Sequence, residues 1–235
     1  MITKKTTDRN FDFQAGEVLL IDKPRGWTSF KVIREIRKAI SVRKVGHAGT
    51  LDPMATGLLI VCTGKKTKEI SVYQDLPKIY EGVITLGKSS PSMDTETEVS
   101  GENEVSHITE EMILREAEKL TGKIKQIPPM YSALKVNGKP LYKLARKGKE
   151  IKREPREVVV YEFQVKKTAL PEIWFRIRCS RGTYVRVIAD DLGNSLGCGG
   201  ILSELRRTSI GEYSVDEAFL PEDFIKTIGF SSGNA

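Results

Sequence analysis

Residues 46–57 are Gly-His-Ala-Gly-Thr-Leu-Asp-Pro-Met-Ala-Thr-Gly, and an apolar run from Leu58 to Cys62 follows them directly. The stretch contains three glycines, one of the chain's two histidines and a single carboxylate, Asp52. Glycines at this density allow positive φ angles and let the backbone come close to a ligand. We therefore predict a loop that leads into a buried strand and presents Asp52 for chemistry more than for packing.

Apolar patterns on both sides of this loop predict strands interleaved with helices. Residues 17–22 form a predicted buried strand, and Thr28 or Ser29 is a predicted N-cap for a helix with apolar residues at helical spacing. Further strands are predicted at 79–86, 158–166, 173–179 and 201–207, and further helices at 66–73, 109–120, 141–146 and 183–192. Because some consecutive strands have no helix between them, we expect an α+β fold with a mixed, mostly antiparallel sheet flanked by helices.

The charge of the chain is unevenly distributed along the sequence. The 235 residues carry a net charge of +7, and their composition is that of a globular protein with one large or two small domains. Residues 135–156 contain nine lysines and arginines against two glutamates, whereas residues 94–118 contain nine acids against one arginine. A solvated surface is the ordinary interpretation of such runs. The density of the basic run nevertheless favours contact with the phosphates of a polyanion.

Composition also argues against several classes of protein and site. The chain has no apolar leader and no apolar run near the ~20 residues that span a bilayer, so we expect a cytoplasmic protein. Three distant cysteines without a CxxC pair, and only two histidines, argue against disulfides and against a metal site. The glycines near Lys65 and at 197–200 lack the spacing or context of nucleotide-binding loops. We expect no metal and no cofactor.

Four residues stand out as candidates, and each has an ordinary structural explanation as well. An aspartate before proline, such as Asp52, is most often a turn residue, and His47 either caps the loop or contacts a substrate base. Tyr80 in a predicted strand is either a half-buried core aromatic or a surface on which a base stacks. Arg186 on an otherwise apolar helix requires a partner if it is buried, and Asp52 is the partner that we predict.

The sequence resembles the TruB-type pseudouridine synthases from about residue 17 to about residue 223. The likeness rests on GHAGTLDPMATGLL from residue 46, K-P-x-G at 23–26, K-x-Y at 78–80, RGTYVRVIADDLG at 181–193 and LSELRRT at 202–208. It implies that Asp52 is the catalytic residue and that Arg186 pairs with it. It further implies that the substrate is bound by His47, Tyr80, Tyr184 and Leu205.

The resemblance also implies a domain organisation and a surface that binds RNA. We expect a flexible segment at 1–16, a catalytic domain at 17–225 with an RNA-gripping insertion at about 124–156, and a flexible tail at 226–235. The PUA domain that follows the catalytic domain in many bacterial relatives is expected to be absent. The candidate contacts to the RNA backbone are Lys23, Lys135, Lys139, Lys143, Arg146 and Lys147.

The activity that the resemblance implies is isomerisation of the T-loop uridine of tRNA, position 55 in standard tRNA numbering, to pseudouridine. The base must leave the stack, which costs a few kcal/mol. Asp52 then acts either as a nucleophile at the anomeric carbon or as a base that produces a glycal, and the sequence does not choose between them. We expect a monomer that acts on tRNA without a membrane, a cofactor or an obligatory protein partner.

Three alternatives remain beside this interpretation. A tRNA-binding chaperone without essential chemistry shares the basic run and the aromatics, but it leaves Asp52 and Arg186 unexplained. A dyskerin-type synthase uses guide RNA and carries a PUA domain within its ribonucleoprotein. A metal hydrolase built on His47 and Asp52 lacks further ligands.

Overall fold

The structure, a computed structural model, describes residues 1–6, 10–136 and 138–231. The strands are β1 (Val18–Lys23), β2 (Val45–His47), β3 (Thr56–Thr63), β4 (Lys78–Leu86), β5 (Gly122–Gln126), β6 (Lys135–Val136), β7 (Lys139–Pro140), β8 (Arg156–Ala169), β9 (Glu172–Cys179), β10 (Gly200–Ile210) and β11 (Tyr213–Ser214). The helices are α1 (Ser29–Ile40), α2 (Ile70–Asp75), α3 (Glu110–Lys119), α4 (Leu141–Ala145), α5 (Val185–Ser195) and α6 (Pro221–Ser231), with short 3₁₀ segments at Gly64–Glu69 and Val215–Glu217.

The chain divides into two compact units. Unit 1 comprises residues 1–80 together with those from 205 on, and unit 2 comprises residues 81–204. Strands β4 and β10 each continue from one unit into the other. The α+β class and the mixed, mostly antiparallel pairing of the strands are confirmed. No helix in the described ranges is long and apolar enough to cross a bilayer.

In unit 1 the central strand is β3. It pairs antiparallel with β1 and β2, and parallel with β10 at Arg206 and Arg207. Alternate residues of β1 and β3 enter two different apolar clusters, so both faces of these strands are covered. This explains why their sequences are continuously apolar instead of alternating. Helices α1 and α6 contact each other and supply residues to one of the two clusters.

The predicted N-cap of α1 is confirmed by a hydrogen bond. The Thr28 hydroxyl accepts a hydrogen bond from the Lys31 amide at 3.0 Å, and α1 ends at Ser41 with a φ of 54°. The spacing of Val32, Ile33 and Ile36 places all three in the core.

In unit 2 the strands follow the order β10, β4, β9, β8 and β5. Strands β8 and β9 form a long antiparallel pair, and β5 pairs antiparallel with the start of β8. Helix α3 begins at the predicted N-cap, Thr109, which accepts from the Met112 amide at 3.3 Å. Helix α3 also contacts α5.

Residues near both ends of the described chain contribute to its core. Within the segment 1–16, Ile2 is buried, its amide donates to the Val18 carbonyl at 2.7 Å, and it pairs in parallel with Leu19. Residues 7–9 lie outside the described residues. The predicted tail at 226–235 begins inside α6, where Phe224 and Ile228 reach the same core, and residues 232–235 are again outside the described ranges. The flexibility expected of both segments stays a prediction.

Candidate active site

The loop between β2 and β3 carries Asp52 and is fixed on both sides of it. The buried Ser29 hydroxyl donates to the Leu51 carbonyl at 3.1 Å and accepts from the Leu51 amide at 2.9 Å. On the other side, the Pro53 carbonyl accepts from the Gly26 amide at 2.8 Å. The residues before and after Asp52 are therefore held by the segment at the start of α1, and the half-buried carboxylate sits on a fixed backbone.

Lys23, a predicted contact to the RNA backbone, is buried beside this loop. Its ammonium donates to the carbonyls of Pro24, Trp27 and Pro53 at 3.1, 2.6 and 3.3 Å. A buried ammonium is stable only with such partners. These contacts give Lys23 a structural role that the K-P-x-G motif did not reveal, and its contact with RNA phosphates stays a prediction.

The glycines of the loop have specific steric roles. Gly49 has a φ of 95° and Gly57 a φ of 106°, a region that favours glycine. A Cβ on Gly57 would collide with the backbone carbonyl of Arg207, because β3 and β10 approach closely there. Gly57 therefore allows two strands to approach closely, and the approach of the loop backbone to a ligand stays a prediction.

The other candidates in unit 1 lie on strands beside this loop. His47 is the last residue of β2 and is largely buried, Tyr80 on β4 is 8% exposed, and Leu205 on β10 is half-buried. Burial, and secondarily the positive charge of Arg207, lower the pKa of His47 below its ordinary value. The imidazole is therefore neutral at pH 7.

Arg207 was not predicted from the sequence, yet its charge acts on His47 and its guanidinium lies near the Tyr80 ring. Its Nε donates to the Leu58 carbonyl at 2.7 Å and its Nη2 donates to the Gly49 carbonyl at 3.0 Å. Its guanidinium carbon is 6.0 Å from the centroid of the Tyr80 ring. Side chains alternate between the two faces of a strand, so Arg207 lies on the same face of β10 as Leu205. This alternation is the sequence signal that could have made Arg207 a candidate.

In unit 2, Arg186 lies on α5 and is 3% exposed. Its Nη1 is 3.2 Å from Oδ2 of Asp94, which is 1% exposed, and its Nη2 donates to the Tyr131 carbonyl at 2.7 Å. The buried Arg186 therefore lies against a carboxylate, Asp94, which sequence analysis did not name. The predicted pair of Arg186 with Asp52 joins residues of different units and stays a prediction.

The loop around Asp94 is organised to hold its carboxylate. Oδ1 accepts from the Ser92 hydroxyl at 2.5 Å and from the Glu96 amide at 2.9 Å, and the Ser90 hydroxyl donates to the Asp94 carbonyl at 2.6 Å. Met93 adopts a φ of 62°, which is uncommon for a residue other than glycine. Sequence analysis treated this stretch as an acidic surface loop because local patterns do not show which carboxylate turns inward.

Tyr184 immediately precedes α5 and is anchored through its backbone. The buried Gln126 side chain accepts from the Tyr184 amide at 3.0 Å and donates to its carbonyl at 3.2 Å. The Arg186 guanidinium carbon is 5.8 Å from the centroid of the Tyr184 ring. Within unit 2, Tyr184, Arg186 and Asp94 therefore form one cluster.

The predicted basic residues of the insertion are all on the surface. They lie on the β6–β7 pair and on or just after α4, whose first residue, Leu141, is buried. Arg146 stacks near Tyr142, with 5.6 Å between the guanidinium carbon and the ring centroid. The exposed cations are Lys135, Lys139, Lys143, Arg146 and Lys147.

Solved structures share this fold. A structure titled "Crystal Structure of a Cbf5-Nop10-Gar1 Complex" is 26% identical, with a TM-score of 0.73, covering 99% of this chain and 64% of that one. The archaeal box H/ACA sRNP Nop10-Cbf5 complex is 23% identical, with a TM-score of 0.70, and covers 94% of this chain and 56% of that one, which supports the fold alone.

Closer relatives share the sequence over nearly its whole length. The protein named tRNA pseudouridine synthase B of Chloroherpeton thalassium is 50% identical over 218 residues, covering 91% of this chain and 90% of the relative. The protein of the same name in Bacteroides fragilis is 44% identical over 223 residues, covering 92% of this chain and 96% of the relative.

The family is defined by two matching sequence models. Residues 37–185 match the TruB family pseudouridylate synthase N-terminal domain, and residues 186–228 match the tRNA pseudouridylate synthase B C-terminal domain. The fold and the sequence models are thus those of a pseudouridine synthase, an isomerase. The chain belongs to the TruB family.

Proposed function

We propose that this chain is a cytoplasmic tRNA pseudouridine synthase that converts the T-loop uridine at position 55 of tRNA to pseudouridine. The observation that carries the proposal is the Asp52 loop, held by Ser29 and Gly26 on either side of the carboxylate, in a chain of the TruB family. The names of its relatives support tRNA as the substrate.

The reaction rearranges bonds within one nucleoside. The bond between N1 of uracil and C1′ of the ribose breaks, the base turns, and C5 bonds to C1′. The proton of C5 is released and N1 takes up a proton, so the product is an isomer of the substrate and no redox cofactor is required. Asp52 acts either as the nucleophile at C1′ or as the base that removes the C2′ proton to give a glycal.

The remaining residues bind and orient the substrate in this proposal. Arg186 keeps Asp52 ionised, because a nearby cation lowers the pKa of a carboxylate. Tyr80 and Tyr184 stack on the base once it has left the helix, and Tyr80 also takes part in removal of the C5 proton. Neutral His47 and half-buried Leu205 complete the pocket for the base.

The exposed cations of the insertion at about 124–156 contact the tRNA backbone in the same proposal. Five of them are brought to the surface by short elements anchored at the buried Leu141. Phosphate contacts of this kind supply most of the affinity and little of the specificity. The enzyme then acts as a monomer, without a protein partner, and its catalytic domain is the stretch 17–225.

Tritium release from an unmodified tRNA transcript labelled at C5 of uridine tests the proposal. The wild-type chain should release one tritium per tRNA, whereas Asp52→Asn should release none and still bind tRNA within about tenfold of the wild type. Asp223→Asn, an exposed carboxylate on α6, is the matched control and should keep full activity.

The same assay separates the competing functions. Tritium release from a transcript lacking uridine at position 55 would place the modified site elsewhere. A requirement for added guide RNA would favour the dyskerin-type alternative. Binding of tRNA without release of tritium would favour the chaperone alternative.

A further inference from the structure

Arg207 occupies an unusual place in unit 1. Its side chain is 1% exposed, among the largest fully buried side chains of the described chain. It binds backbone carbonyls of two segments, Gly49 in the Asp52 loop and Leu58 in β3. A buried guanidinium that holds backbone at two points fixes the separation between those points.

The contact with Gly49 lies three residues before Asp52. Gly49 has a φ of 95°, and a Cβ added there would lie 3.5 Å from Nη1 of Arg207. The guanidinium therefore packs directly on the backbone of the loop as well as bonding to it. Ser29 and Gly26 hold Leu51 and Pro53, so Arg207 secures the remaining, N-terminal part of the same loop.

The same guanidinium reaches two further candidate residues. It lies 6.0 Å from the centre of the Tyr80 ring, at the limit of a cation–π contact. Its charge is one of the causes that lower the pKa of His47, after burial. One side chain thus links the Asp52 loop, β3, the Tyr80 ring and the imidazole of His47.

We propose that Arg207 is a positioning residue for pseudouridine formation, which holds the Asp52 loop and the Tyr80 ring at a fixed separation from each other. The proposal rests on the function proposed above. Arg207 acts through its neighbours, since its Nε and Nη2 donate to protein carbonyls and its side chain is buried. Lysine is a poor replacement, because its single nitrogen cannot stand at the positions of both Nε and Nη2, which bond the two carbonyls.

The test compares Arg207→Lys, which keeps the charge but loses the fork, with Arg207→Gln, which loses both. The matched control is Arg178→Lys, because Arg178 is also a strand arginine over a tyrosine ring, with 5.0 Å to the Tyr161 centroid, but it is exposed on β9. Tritium release is measured in single turnovers at saturating enzyme, tRNA affinity is measured by filter binding, and the folded fraction is measured by circular dichroism.

We expect Arg207→Lys to slow the single-turnover step about 100-fold with tRNA affinity within about twofold of the wild type. The control should match the wild type in both measurements. A merely structural role would instead lower activity in proportion to the folded fraction, and that result would overturn the proposal. If the Arg207 variants do not fold, Gly49→Ala provides the second test, because it disturbs the contact from the loop side and should also slow turnover without weakening binding.

Histidine NMR provides a readout that does not depend on activity. The chain has only His47 and His107, so a His107→Asn background leaves one titrating imidazole. The pKa of His47 should rise in Arg207→Gln and stay low in Arg207→Lys, and an unchanged pKa in both would contradict the placement of the guanidinium.

A wild-type chain that releases no tritium would overturn the proposed function and this role with it. An active wild type whose Arg207→Lys variant has the wild-type rate would overturn the positioning role alone.

Discussion

Two buried arginines differ in what compensates their charge. Arg186 in unit 2 has a carboxylate partner in Asp94, whereas Arg207 in unit 1 donates to backbone carbonyls. This difference determines what a substitution of the partner costs in stability. Removing the partner of a buried ion leaves an uncompensated charge, which costs far more than the pair contributes.

Asp94→Asn is expected to destabilise the protein by about 2 kcal/mol, because Arg186 keeps the Tyr131 carbonyl and, in the proposed function, Asp52 as further partners. Asparagine keeps some of the hydrogen bonds from Ser92 but removes the charge that faces Arg186. Urea unfolding at pH 7 measures the effect. Glu98→Gln, an exposed acid in the same loop, is the control and should change stability by less than about 0.5 kcal/mol. Equal stability of the two variants would mean that Arg186 finds sufficient compensation elsewhere.

At the scale of elements, α5 and the turn after it pack backbone against backbone. A Cβ on Gly193 would collide with the backbone of Gly199 and Gly200, and the Asn103 side chain donates to the Cys198 carbonyl at 2.7 Å. The glycines at 197–200, which match no nucleotide-binding motif, thus form a turn that allows this close approach.

Gly193→Ala should consequently destabilise the protein by about 3 kcal/mol, because the helix must move away from the turn. In an ordinary exposed helix the same change is stabilising by about 0.5–1 kcal/mol. Gly197→Ala is the comparison. A Cβ added to Gly197 would have no neighbour within 4 Å, but the residue has a φ of 76°, so the substitution should lower the free energy of unfolding by only about 1–2 kcal/mol. A stabilising Gly193→Ala in thermal or urea unfolding would contradict the close packing.

Elements whose signals are local were predictable from the sequence. The caps at Thr28 and Thr109 depend on side chains within three residues of the amides they bind, and their helices start where predicted. Helix α6 was missed because its order depends on contacts with residues far away in the chain.

The long-range contacts around the candidate site were likewise not predictable from local sequence patterns. Asp52 became a candidate through a motif and a family resemblance. The contact of Arg207 with Gly49 spans 158 residues, and that of Asp94 with Arg186 spans 92, so no local pattern encodes either. Local patterns likewise did not show that Lys23 is buried and that its ammonium donates to backbone carbonyls.

At the scale of the molecule, aromatic side chains from distant parts of the chain close the core of unit 1. The Phe224 ring on α6 packs edge-on against Phe13, with 6.2 Å between centroids, and against Phe219 at 6.0 Å. Phe224 is 1% exposed. The core of unit 1 thus depends on residues near both ends of the described chain.

Phe224→Ala should destabilise the protein by about 3–5 kcal/mol, because it leaves a cavity between these elements. Phe30→Ala is the control, since that ring is 66% exposed on α1 and its removal should cost less than about 0.5 kcal/mol. Calorimetry on both variants measures the difference. A small effect of Phe224→Ala would show that α6 is dispensable for the core of unit 1.

The division of the chain has a consequence for its biosynthesis. Residues 81–204 of unit 2 are contiguous, whereas unit 1 needs residues from both before and after them. During translation, the Asp52 loop leaves the ribosome early but meets Arg207 only after unit 2 has been synthesised. Because domains form as their residues emerge, the nascent chain can fold its interior unit first, and the Asp52 loop is assembled among the last events of synthesis.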